Sequence, residues 1–225
     1  FKHFNLTEEL VDNKDTTIKS LSGERRCQYF DGYEKEFLKY SKSDISIDGL
    51  DTIIVPMPVE LQNKKRPPQY VNWQYPYDGY SSVKFGEPLD INNPSVVYLK
   101  DIFLDGGPIF SKKYILRIGS FLSGLFLFVN GDFVGYSENN FLDSEFDITK
   151  YLIKGKNRLL MIVFKYSNSS LFLDYDGFWF SGINRDVSLI TLNKQSIDDI
   201  NIDANVDGHI KIKLDGNLKD CSFKY

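Results

Sequence analysis

At 225 residues the chain has room for one large β or α/β domain, or for one medium domain and part of another. Hydrophobic residues make up 42% and charged residues 26%, which excludes a disordered tail, and a net charge of −4 excludes the basic footprint of a nucleic-acid binder. No run approaches the roughly 18 apolar residues of a membrane span, and Cys27 and Cys221 are too few for a disulfide framework, so a soluble protein of a reducing, cytoplasmic compartment is expected. The chain opens on Phe1, which leaves open a trimmed N-terminal segment.

Aromatic residues reach 15%, with 18 Phe and 14 Tyr, and favour strands over helices. Helical spacing is confined to a short turn at Leu6–Leu10 and to Glu34–Tyr40. Thr52–Pro56 is a β-branched run closed by Pro56 and Pro58, neither of which can continue a central ladder. Tyr70–Leu89 is rich in Tyr, Pro and Gly without periodicity and reads as a long surface loop. Ser95–Asp105 is extended up to the Gly106-Gly107-Pro108 break, Lys113–Ile118 alternates, and Leu125–Val129 is apolar throughout, as in a strand buried on both faces. Asn130-Gly131 suits a type I′ hairpin turn, with Asp132–Tyr136 as the returning strand. Asn157–Tyr166 and Arg185–Leu192 are further strands, separated by the irregular run Ser167–Gly182. The pattern predicts an all-β sandwich or jelly roll whose long loops are free to bind something.

Near Ser196 the texture changes. Ile200, Ile202, Ala204 and Val206 alternate with polar residues, and after Asp207-Gly208 so do Ile210, Ile212 and Leu214: a hairpin with one apolar face. Cys221, Phe223 and Tyr225 start a third alternating strand. An apolar sheet face needs a second sheet to cover it, and an immunoglobulin-like sandwich takes about 100 residues. The expectation is therefore a cut piece of a larger protein: a 1–15 extension, a jelly roll over 16–195, and the opening of a second sandwich over 196–225.

Chemistry-bearing residues are sparse. His3 and His209 are the only histidines, so neither a zinc site nor a histidine triad is expected. Gly106-Gly107 lacks the strand–loop–helix setting of a phosphate loop. Carboxylates are plentiful, and Glu145 with Asp147 and Asp174 with Asp176 are the pairs to weigh. The first pair reads as loop-fixing, with Arg158 and Arg185 as natural partners. The second sits in an aromatic loop near Phe178 and Trp179, where carboxylates and rings can meet the hydroxyls and apolar faces of a sugar. Among the aromatics, the cluster Trp73–Tyr80 is the one placed for contact.

Several motifs then fall in register with one family. Val129-Asn130-Gly131-Asp132-Phe133-Val134-Gly135-Tyr136-Ser137, Ser144-Glu145-Phe146-Asp147-Ile148 and Gly155-Lys156-Asn157-Arg158-Leu159 resemble the N-terminal sugar-binding jelly roll of glycoside hydrolase family 2 β-galactosidases. The resemblance continues through Ser167, Asp174, Asp176 and Ser181-Gly182-Ile183-Asn184-Arg185-Asp186-Val187. It is preceded by Ser20-Leu21-Ser22-Gly23-Glu24, Val55-Pro56, Tyr70-Val71-Asn72 and Tyr75-Pro76, so that residues 16 to 193 are covered. It implies a following immunoglobulin-like domain and a (β/α)₈ barrel that carries the two catalytic glutamates, and no residue of this chain matches either of them.

The resemblance further implies that Asn72 hydrogen-bonds the sugar and that Asp176 contacts galactose and helps ligate a monovalent cation, sodium, with Asp174 supporting the loop. Magnesium is implied only for the whole enzyme. Glu145, Asp147, Arg185 and Asp186 fall in motifs read as structural. Two departures stand out: Arg25 and Cys27 occupy positions where the family carries aromatics, and Phe178-Trp179-Phe180 replaces an aromatic–Arg–hydrophobic run. The implied parent cleaves a terminal β-galactoside with retention, and the fragment alone is expected to be inactive. Its implied partners are the sugar, the remaining domains and a possible homo-oligomer, with no nucleic acid and no membrane. A stand-alone carbohydrate-binding module and a purely structural assembly domain are the competing readings.

Overall fold

The computed structural model describes residues 18–32, 35–63, 65–71, 93–105, 111–138, 140–171, 177–195 and 197–217. Two antiparallel sheets face each other. One has four strands in the order β1 (Ile18–Ser20), β14 (Val187–Asn193), β6 (Lys112–Ile118) and β10 (Ser144–Asp147). The other has six: β3 (Asp51–Val55), β2 (Gly23–Phe30), β5 (Ser95–Leu104), β11 (Gly155–Phe164), β8 (Gly124–Val129) and β9 (Asp132–Ser137). A short pair joins β7 (Phe121–Leu122) to β13 (Gly182–Ile183), and the fold is the expected all-β sandwich.

Alternation sets what lies between the sheets. Tyr114, Leu116, Ile118, Val187 and Leu189 point inward from the smaller sheet and meet Val96, Tyr98, Leu125, Leu127, Leu159, Met161 and Val163 from the larger. The unbroken apolar runs of β5, β8 and β11 have a separate cause. Their outer face is covered too, by the 3₁₀ segment Lys35–Ser41, whose Phe37 and Tyr40 pack with Phe30, Val97, Leu99, Leu160 and Ile162. Phe30 and Phe37 meet edge-on with ring centroids 4.4 Å apart. The helical expectation at Glu34–Tyr40 thus becomes this 3₁₀ cover, while that at Leu6–Leu10 lies outside the described residues.

The hairpin after β8 turns at Asn130 (φ 53°) and Gly131 (φ 98°), both in the left-handed region that the turn requires. The Asn130 side chain closes one end of the sandwich: Oδ1 accepts from Arg158 N at 2.9 Å, while Nδ2 donates to Tyr151 O and Asn157 Oδ1. Asn157 in turn exchanges hydrogen bonds with both backbone groups of Ile153. Arg158 is wholly buried and forks onto Asp101, with Nη2–Oδ2 at 3.1 Å and Nε on Oδ1. Its Nη1 donates to the carbonyls of Tyr40, Lys42 and Ile45, which fastens the 3₁₀ cover to β11. Burial pushes the Asp101 carboxyl up, but hydrogen bonds from Arg158 and Lys156 outweigh it and hold the group below the usual carboxylate range. Arg158 therefore serves Asp101, and Arg185 donates to Phe141 O, so neither expected partnership with Glu145 or Asp147 forms. Asp147 does fix its own turn, accepting from Thr149 N at 3.0 Å, and Glu145 lies on β10.

β2 is the least expected strand, because its sequence GERRCQYF is polar and yet it lies next to β5. Arg25 takes an inward position where only Nη2 is paired, to Leu21 O at 2.7 Å; Nε and Nη1 have no partner among the described residues. Burial drops its pKa to about 10. Cys27 is a free, buried thiol that burial pushes up to about 11, so it is unreactive at neutral pH.

Beyond β14, β15 (Ile197–Ala204) and β16 (Ile210–Gly216) form the expected hairpin, with Ile200, Ile202, Ile210 and Ile212 exposed. Among the described residues no helix is long and apolar enough to cross a membrane.

Candidate functional site

Each sequence-predicted site residue, Asn72, Asp174 and Asp176, lies outside the described residues, as does the cluster Trp73–Tyr80. The structure does describe the chain that delivers them. β4 (Tyr70–Val71) pairs antiparallel with β12 (Gly177–Phe178), with Val71 opposite Gly177 and Tyr70 opposite Phe178. Trp179 N extends the pairing to Gln69 O at 3.0 Å, and the rings of Tyr70 and Phe178 meet edge-on at 5.5 Å. The covalent neighbour of Asn72 and the covalent neighbour of Asp176 are thus cross-strand partners.

Carboxylates drawn from other parts of the chain hold the flanks. On the C-terminal side, Glu60 lies in the 3₁₀ segment Val59–Leu61 that follows β3. Its Oε2 accepts from Ser181 N at 2.8 Å, and its Oε1 accepts from Ser181 Oγ at 2.8 Å and from Lys165 Nζ at 3.1 Å. The Glu60 and Lys165 side chains are 1% and 10% exposed, so this is a buried ion pair whose oxygens are satisfied. The backbone completes the join, with Val59 N on Ser181 O and Met57 N on Ile183 O. Gly182 permits the close approach. At φ 91°, a Cβ there would meet the Tyr98 hydroxyl and stand 2.7 Å from Val59 Cγ2.

On the N-terminal side, residues 172–176 follow the 3₁₀ segment Asn168–Leu171. Glu138 Oε2 accepts from Ser169 N at 2.6 Å while its Oε1 accepts from the Tyr136 hydroxyl. Burial and then the hydrogen bond to Glu138 raise the Tyr136 pKa, which keeps the phenol a donor. The Asn140 amide is satisfied with its nitrogen toward Glu138 O and Ser123 O and its oxygen accepting from Ser169 Oγ. Asn93, which follows residues 72–92, exchanges hydrogen bonds with both backbone groups of Tyr166 at 2.7 and 3.0 Å.

Cavity size decides what the described residues can hold. Between the two flanks lies a cavity of about 10 Å³ lined by Ser123, Asn140, Lys165, Ser170 and Trp179, enough for one water and far too small for a sugar ring. A larger cavity, about 260 Å³, opens at the foot of β15 among Lys112, Lys113, Lys194, Asp147 and Asp198, with no aromatic ring in its lining. No group of three or more His, Cys, Asp or Glu among the described residues could hold a metal ion.

The match to known proteins covers the sandwich. The family model for the sugar-binding domain of glycosyl hydrolases family 2 matches residues 18–193. The chain belongs to glycosyl hydrolase family 2. A β-galactosidase of Streptococcus thermophilus is 32% identical over 231 residues, an alignment covering 100% of this chain and 22% of the relative. The β-galactosidase of Kluyveromyces lactis is 35% identical over 176 residues, covering 73% of this chain and 16% of the relative. The chain thus spans about a fifth of the length of these curated relatives. Among solved structures, the β-glucuronidase of Bifidobacterium dentium superimposes with a TM-score of 0.60 at 18% identity, covering 84% of this chain and 32% of that one. At that identity the likeness is one of fold.

Within this family 2 domain, the loop carboxylates stand out in the sequence, whereas Glu60, Glu138 and Lys165 do not. Glu60 sits between the apolar Val59 and Leu61, the nearby basic residues Lys65 and Arg66 do not supply its partners, and those lie 105 and 121 residues away. A buried carboxylate answered from that distance leaves no local signal. Ser181-Gly182, the receiving end, did stand inside a recognised motif.

Proposed function

We propose that this domain forms one wall of the sugar pocket of a retaining, β-galactosidase-like glycoside hydrolase. In this reading Asn72 hydrogen-bonds a hydroxyl of the terminal sugar, Asp176 accepts hydrogen bonds from hydroxyls of the same ring, and Asp174 supports the loop. An asparagine offers a donor and an acceptor to a hydroxyl, and an ionised carboxylate accepts on both oxygens. The single observation that carries the proposal is the β4–β12 pairing, which sets Val71 opposite Gly177, one residue from Asn72 on one strand and one residue from Asp176 on the other. Family membership and the β-galactosidases among the relatives support the choice of sugar.

Retaining hydrolysis needs two carboxyls about 5–5.5 Å apart on either side of the glycosidic bond. We assign both to the barrel that the family resemblance implies, and residues 196–225 to the opening of the intervening sandwich. The 225 residues alone then bind without turning over. Asp176 would also offer a hard carboxylate oxygen to a monovalent cation such as sodium. Among the described residues no group of three or more His, Cys, Asp or Glu could hold a metal ion, and in this reading Asp176 supplies one ligand of the cation.

The test is a titration of galactose and lactose into the chain followed by amide NMR shifts, with sodium and then with lithium as the cation. Saturable shifts near Tyr70 and Phe178, abolished by Asn72→Ala and by Asp176→Ala, are expected, with weaker affinity in lithium. Binding that survives both substitutions would place the sugar elsewhere, as a self-sufficient carbohydrate-binding module would. Turnover of a chromogenic galactoside by the purified chain would overturn the assignment of catalysis to the barrel.

A further inference from the structure

The geometry points to Glu60 as a positioning residue for the sugar site, acting through Ser181 on the chain that leads out of Asp176 by way of β12. This inference rests on the reading of Asp176 as a sugar contact. Every polar group of Ser181 is held by the turn at residues 59 and 60: its N–H and hydroxyl donate to the Glu60 carboxylate, and its carbonyl accepts from Val59 N. Only Trp179 and Phe180 separate Ser181 from β12, and Trp179 N already belongs to the β4–β12 pairing through Gln69 O. Fixing Ser181 therefore fixes where β12 lies against β4.

Lys165 gives that anchor a rigid reference. It follows the last residue of β11, the strand flanked on both sides in the larger sheet, and its backbone N–H donates to Pro94 O at 2.8 Å. Its ammonium reaches Glu60 Oε1, so the carboxylate is tied to the sheet as well as to Ser181. A carboxylate holding a backbone amide makes a charge-assisted bond roughly twice as strong as a neutral one. The cost of burying it is offset by the paired lysine. The side chain is 1% exposed, so it has no route of its own to a ligand, and its effect on one must pass through Ser181.

The test compares two double variants that remove the same ion pair. Glu60→Gln with Lys165→Met keeps an amide oxygen for Ser181 N, whereas Glu60→Ala with Lys165→Met keeps no acceptor. Hydrogen exchange is read at the Trp179 amide, with Leu99 and Leu160 of the β5–β11 ladder as internal references, and galactose affinity is measured in parallel. We expect the Ala variant to exchange at Trp179 at least tenfold faster with the references unchanged, and to bind galactose at least tenfold more weakly. The Gln variant should stay within about threefold of the parent in both. Equal behaviour of the two variants, or faster exchange in every ladder alike, would overturn the inference and reduce the pair to general stabilisation. Absence of galactose binding by the parent chain would instead strike at the pocket reading, and the exchange contrast would still decide whether Glu60 positions β12.

Discussion

The two ends of strand β11 use buried charge differently. At its start, Arg158 faces Asp101 and three backbone carbonyls, and everything it touches belongs to the scaffold: the 3₁₀ cover, β5 and the Asn130 turn. Just past its end, Lys165 faces Glu60, and that carboxylate is turned toward the segment leaving β12. Asn93 and Glu138 hold neighbouring segments of the same kind. One end closes the sandwich on itself and the other frames the chain leading to Asn72 and Asp176. Ion pairs at the two ends of one strand thus hold different backbone, and what separates them is whether that backbone continues into scaffold or into the candidate loops.

That contrast can be pressed experimentally. The largest effect is expected at the closed end: Asp101→Ala leaves a wholly buried guanidinium without its counter-charge, which costs about 3–5 kcal/mol and reads directly in urea unfolding. Galactose affinity of the remaining folded protein should not change, and a matching loss of affinity would erase the distinction between the ends. Next is Gly182→Ala, which forces a left-handed residue and a Cβ against Val59 and the Tyr98 hydroxyl, for a loss on the order of 3 kcal/mol. Here sugar affinity should fall too, because Gly182 adjoins Ser181.

Arg25 sharpens the comparison with the opposite sign. It is nearly as buried as Arg158 but has two nitrogens without partners among the described residues, so Arg25→Met should raise stability by about 1–3 kcal/mol in the same unfolding assay. A loss would show that the guanidinium is answered by residues outside those described.

The smallest effect concerns pH. The folded Asp101 carboxyl sits below its ordinary value of 3.8, so it contributes stability above 3.8 that is lost as pH falls through the depressed folded value. Asp101→Asn should flatten that part of the acid-unfolding profile, and an unchanged profile would mean the pair does not titrate with folding.

Sequence patterning made the strands with unbroken or alternating apolar runs legible, along with the left-handed Asn130-Gly131 turn and the β15–β16 hairpin. β2 escaped because Gly23–Phe30 is polar and takes its place beside β5 from tertiary packing, which overrides local propensity. β10 escaped because four residues, Ser144–Asp147, carry too little pattern and look like a turn. At the candidate site, recognisable motifs flagged Asn72, Asp174, Asp176 and Ser181. The carboxylates that hold the frame stayed invisible because their partners are distant in sequence and their burial depends on the finished fold.

The central claim is that Asn72 and Asp176 address one sugar from the two sides of the β4–β12 pairing. A double-mutant cycle on galactose affinity, with Asn72→Ala, Asp176→Ala and the double variant titrated calorimetrically, tests it most directly. Groups sharing one ligand should couple: each single substitution is expected to weaken binding about tenfold or more, and the double far less than the product of the two. Strictly additive losses, or singles without effect on binding, would contradict the claim.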